Sequence, residues 1–134
     1  MFGNDRRMLE AVDAMSEGNW DFACQLLKKL SAKGVPDAEH FMGWFYEQGI
    51  VVTQSDTEAF RWLSKAAIHG VPESQNGIAN MYHKGIGTDV DLEKAYYWYS
   101  VAYKNGDVAS LSGVKEIEKN LSTEQLSAFK SQKY

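Results

Sequence analysis

The side chains in this sequence with chemical capability are one thiol, three imidazoles, scattered carboxylates and a glycine-flanked loop. Cys24 works as a nucleophile only if an imidazole meets it in space. The histidines, His40, His69 and His83, lie on three separate predicted helices, and none stands at zinc-ligand spacing from the cysteine. A small thiol on the apolar stripe of a helix is the usual buried cysteine. Glu10, Asp13, Glu47 and Glu116 fall on different helices, so a hydrolytic pair exists only if the fold lines them up on one face. Otherwise they form a solvated or partner-binding surface. Gly85-Ile86-Gly87 lacks the preceding strand and third glycine of a phosphate loop, and reads as an interhelical turn that needs positive φ. Asp89, Asp91 and Glu93 alternate as calcium ligands do, but the glycine that turns such a loop is missing, which leaves helix capping as their role. The expectation is a chain with no catalytic residue, no metal and no cofactor.

The elements that carry these residues repeat. Glu58-Ala59-Phe60-Arg61-Trp62-Leu63-Ser64-Lys65-Ala66 is echoed 36 residues later, with Ala59 falling on Ala95, Trp62 on Trp98, Ser64 on Ser100 and Ala66 on Ala102. Tyr46 falls on Tyr82, Gly49 on Gly85 and Gly70 on Gly106. One step back, Gly34-Val35-Pro36-Asp37 underlies Gly70-Val71-Pro72-Glu73. A fixed period of this length means stacked supersecondary units rather than one closed globule. The units run over 1–37, 38–73 and 74–109, with a degenerate capping unit over 110–134.

Within the units the apolar spacing is helical. Met8, Leu9, Val12 and Met15 predict a helix over 5–15, and Ala23, Leu26, Leu27 and Leu30 another over 20–33 that ends at Gly34. Phe41, Met42, Phe45 and Tyr46 mark a helix over 38–48, with Gly43 where a neighbour can come close. Ser55 with Glu58 has capping-box spacing before a helix over 56–69. The pattern recurs over 74–84 and 92–104, the latter capped by Asp91, and again over 110–119. Ser122 with Gln125 opens a short last helix over 126–132.

A net charge of −4 argues against binding nucleic acid, which would need a basic face, and against docking on an anionic membrane. A lone cysteine makes no internal disulfide, the polar start Met1-Phe2-Gly3-Asn4-Asp5-Arg6-Arg7 lacks a signal-peptide pattern, and no stretch has the ~20 apolar residues of a membrane span. The expected location is cytoplasmic and the expected partner a protein or peptide.

Met42-Gly43, Tyr46, Gly49, Ala59, Trp62, Ala66 and Gly70, followed by Ile78-Ala79, Tyr82, Gly85, Gly87, Asp91, Lys94-Ala95, Trp98-Tyr99, Ala102 and Gly106, resemble two consecutive units of the Sel-1-like repeat family. The resemblance covers Ala38 to Asp107. It implies an all-α, right-handed α/α solenoid of three to four antiparallel helix pairs related to tetratricopeptide repeats, with a short C-terminal capping helix. The first unit is closer to an ordinary tetratricopeptide repeat, since Val12 to Ala23 is shorter than Tyr46 to Ala59. One departure stands out: Gly49-Ile50-Val51 lacks the second loop glycine of Gly85-Ile86-Gly87, so the conformation of that loop is open.

The resemblance also implies that the first helix of each unit lines a concave face. Outside the core stripe these helices carry Asp37, His40, Trp44, Glu47 and Gln48 in the second unit, and Glu73, Asn76, Asn80, His83 and Lys84 in the third. These ten are the expected partner-binding residues. Trp44 among them either packs sideways on a neighbouring helix or stands exposed as an interface anchor. The expected function is non-catalytic protein binding as scaffold or regulator. The alternatives are an immunity protein that blocks a bacterial toxin stoichiometrically, and a hydrolase using acidic groove residues.

Overall fold

The computed structural model describes residues 6–133. Its helices are α1 (Arg6–Ser16), α2 (Trp20–Ala32), α3 (Pro36–Gln48), α4 (Asp56–Ile68), α5 (Pro72–Lys84), α6 (Leu92–Lys104), α7 (Ser110–Glu118) and α8 (Thr123–Ser131). No strand occurs among the described residues. Each helix packs on the next along the chain from α1 to α7, while α8 folds back onto α6. This order of neighbours is that of a solenoid of helix pairs.

Local chemistry sets the boundaries. Pro36 and Pro72 occupy the first turns of α3 and α5, where a missing N–H costs nothing, so both helices begin two residues before the expected 38 and 74. Gly49 and Gly85 close these helices in the left-handed conformation. The Asp91 carboxylate accepts the Lys94 N–H, and Ser122 with Gln125 forms a complete capping box that starts α8 at Thr123 rather than Leu126. The box expected at Ser55 is half made. Its hydroxyl accepts the Glu58 N–H at 3.1 Å, but the Glu58 carboxylate turns to Arg61 at 2.9 Å.

The core forms three patches along the stack. Met8, Leu27, Leu30, Met42 and Phe45 join α1, α2 and α3; Ala59, Leu63, Ile78 and Met81 join α4 and α5; Tyr96, Tyr99 and Ile117 join α6 and α7. Small residues set the spacing between them. A Cβ at Gly43 would stand 2.6 Å from Leu63 Cγ, so only glycine lets α3 and α4 meet as they do. Trp62 and Trp98 are half-buried between these patches, as expected for gap-filling residues.

The departure in the second loop is resolved by strain. Val51 adopts φ +67°, the same left-handed region that Gly87 occupies at +72°. It is the one non-glycine residue with positive φ among the described residues. The flanking hydrogen bonds are repeated: Ser55 N–H to Tyr46 O in the second unit matches Asp91 N–H to Tyr82 O in the third. The loop therefore keeps its shape without the glycine, at the expense of a β-branched residue where L-residues are disfavoured.

Candidate functional site

All ten expected partner-binding residues lie on α3 and α5. Two grooves run beside these helices. One, of about 460 Å³, lies between α1 and α3 and is lined by Val12, Met15, Ser16, Trp20, His40, Phe41 and Trp44. The other, of about 430 Å³, lies between α5 and α7 and is lined by Glu73, Asn76, Gly77, Asn80, Tyr99, Ala109, Ser112 and Gly113. Five of the ten residues thus reach a groove wall. Asp37, Glu47, Gln48, His83 and Lys84 lie on the same helices without lining either groove.

His40 and His83 do not point freely away from their neighbours as expected. The His40 Nδ1 is 2.7 Å from Ser74 Oγ on α5, and His83 Nδ1 is 3.3 Å from the Tyr99 hydroxyl on α6, with the two rings edge to face. Both imidazoles are long enough to reach the adjacent helix, which a projection of one isolated helix does not show.

Trp44 combines the two readings left open for it. Its ring lies 5.9 Å from that of Trp20 and 5.5 Å from Phe45, yet the residue keeps part of its surface on the α1–α3 groove. Trp20 was not among the expected residues. It opens α2, and the 36-residue step carries it onto Asp56 and Leu92, so its failure to follow the repeat was the available signal. Phe41, assigned above to the core stripe, is half-buried and lines this groove.

The electrostatics of the row come from burial and crowded carboxylates. Burial pushes the Asp37 carboxyl up, and the neighbouring Glu73 charge adds to that. Burial lowers His40, against the opposing pull of Glu73 and Asp37. Glu47 rises through partial desolvation of its carboxyl and through Asp56, even though the residue as a whole is exposed.

The Ser74–His40 contact has the composition of a nucleophile and base, so its geometry matters. Ser74 is fully buried in the first turn of α5, and its hydroxyl presents no surface to a substrate. The pair is a tie between the second and third units. Cys24 is buried with its thiol pushed up by desolvation, opposite to the activation a nucleophile needs. No group of three or more His, Cys, Asp or Glu side chains is placed to hold a metal among the described residues.

A second tie holds each unit together. Glu39, 3% exposed, meets His69 Nδ1 at 2.6 Å, joining the start of α3 to the end of α4. Thirty-six residues on, Gln75 and Asn105 make the neutral counterpart: Asn105 Nδ2 donates to Gln75 Oε1 at 3.0 Å and Gln75 Nε2 donates to Ala67 O. His69 therefore belongs to the frame. On the second helices, Arg61 and Lys65 lie over the Trp62 ring at 4.8 and 4.5 Å, and Tyr97 sits edge-on to Trp98.

Stacked helix pairs with an aromatic groove on the first-helix row define the class as an α/α-solenoid repeat protein. The Sel1 repeat matches the chain twice, over residues 36–71 and 72–107, and the chain belongs to that family. Proteins of this family generally serve as non-catalytic protein–protein interaction modules. Among solved structures, a Sel1 repeat protein from Oxalobacter formigenes is 26% identical with a TM-score of 0.76, covering 82% of this chain and 86% of that one. The protective antigen c5321 of uropathogenic Escherichia coli, which displays an SLR fold, is 28% identical with a TM-score of 0.73 over 78% of this chain, which spans only 23% of c5321. Helicobacter pylori cysteine rich protein B, at 19% identity and a TM-score of 0.63, covers 82% of this chain and 98% of its own, and shares the fold. No curated protein matches by sequence. No helix among the described residues is long and apolar enough to cross a membrane.

Proposed function

We propose that the protein is a non-catalytic interaction module that holds a peptide or protein segment along its first helices, using Asp37, His40, Trp44, Glu47, Gln48, Glu73, Asn76, Asn80, His83 and Lys84. The observation that supports this most is the partly exposed Trp20–Trp44 pair in the α1–α3 groove. Partly exposed aromatics that line a groove are the kind of feature on which interface energy concentrates. The α5–α7 groove adds Asn76 and Asn80, whose amides both donate and accept and can read a peptide backbone.

Affinity capture with the wild-type protein beside Trp44→Glu tests the reading. A partner held by the wild type and lost in the variant supports it, provided circular dichroism shows an unchanged helix content. A partner retained equally by both refutes use of the α1–α3 groove. One tight partner whose activity is abolished on binding would assign the immunity role, whereas several weaker partners would assign a scaffold. Hydrolytic turnover lost on Glu47→Gln or Glu73→Gln would instead revive the enzyme alternative.

A further inference from the structure

A further cleft lies away from the first-helix row. It has a volume of about 550 Å³ and lies between α6 and the end of α8. Its origin is the way the last helix packs. Phe129 on α8 sets its ring 6.0 Å from Tyr96 and Leu126 packs on the same core patch, which holds α8 against α6, while the Tyr96 hydroxyl donates to Glu118 of α7 at 2.8 Å. Beyond these contacts α6 and α8 leave a gap.

The lining has two parts. Tyr96, Val101 and Phe129 supply the apolar surface, and Lys104, Lys130 and Lys133 stand around it. The chain carries 14 basic against 18 acidic residues, so three lysines about one apolar cleft run against its overall balance. None of these three lysines has an ion-pair partner among the described residues. A cleft with an apolar floor and an unpaired cationic edge complements a ligand that joins an apolar side chain to negative charge.

We propose that the α6–α8 cleft is a second docking site, for an acidic peptide segment bearing one apolar side chain. The apolar residue seats against Val101 and Phe129, and the flanking carboxylates meet Lys104, Lys130 and Lys133. Because the lysines are exposed, the attraction is screened over about 8 Å at physiological salt, and binding falls as salt rises. The site is built from other residues than the first-helix grooves and stands or falls independently of them.

The test uses the full chain and fluorescein-labelled short peptides in which one Leu, Phe or Tyr is set among Asp and Glu. The matched controls carry Lys in place of every acid, and fluorescence anisotropy reads the binding. We expect the acidic set to bind at least about tenfold more tightly than the basic set, and the double variant Lys104→Glu, Lys130→Glu to remove that preference. Trp44→Glu leaves the affinity unchanged. Equal binding of the two sets overturns the proposal, as does an acidic preference that survives the double charge reversal. A salt-sensitive self-association in sedimentation that the double variant loses would place a second copy in the cleft and likewise overturn it. Both lysines are exposed, so the variant keeps its fold, and circular dichroism verifies this.

Discussion

Val51→Gly is expected to stabilise the protein, although it removes a side chain. Val51 sits at φ +67° with 47% of its surface exposed and belongs to none of the three core patches. Holding an L-residue in the left-handed region costs about 1–2 kcal/mol. Glycine removes that cost but loses about 0.5–1 kcal/mol through the freedom of the unfolded chain. The difference is a net gain of about 0.5–1 kcal/mol, or about 2–4 °C in midpoint for a chain of this size. Urea and thermal unfolding followed by circular dichroism give both numbers. The reverse substitution in the third unit calibrates them. A Cβ at Gly87 would stand 2.3 Å from Asp56 O, a backbone atom that cannot swing away, so Gly87→Val should cost about 3 kcal/mol or more. If Val51→Gly destabilises by more than about 0.5 kcal/mol, the valine contributes contacts that outweigh its backbone strain, and strain does not govern this loop.

Two further outcomes follow from the inter-helix ties. Glu39→Gln should change stability by less than about 1 kcal/mol, because Gln75 fills the equivalent place with neutral hydrogen bonds and a glutamine at 39 still accepts from His69. A loss well above that in urea unfolding would mean that the charge itself holds α3 to α4. Desolvation, then the hydrogen bond to Glu118 and its charge, push the Tyr96 phenol from 10.0 up to about 12. The folded state thus favours the neutral phenol: its contribution to stability is complete below pH 10 and is lost as the pH rises towards about 12. An ultraviolet difference titration of Glu118→Gln should show one tyrosine ionising at lower pH than in the wild type. An unchanged curve would remove Glu118 as a cause.

Much of the architecture is written locally. The 36-residue echo, the prolines and left-handed glycines at helix ends, and the capping residues Asp91 and Ser122 each act within a few residues of chain, so their spacing specifies helix order and length without reference to the rest of the fold. The same periodicity places Asp37, Trp44, Glu73, Asn76 and Asn80 on the first helices. What it does not specify is which side chains meet across helices. Trp20 packs at a tilt against Trp44, His40 reaches Ser74 in the next unit, and α8 folds back onto α6. These contacts depend on the angle and distance at which helices pack, set jointly by all the side chains between them, and a single-helix projection carries no such information. The strained loop at Val51 shows the same division: sequence alone removed the glycine, and only the surrounding turn, held by its backbone hydrogen bonds, decided that the valine would take the glycine's conformation.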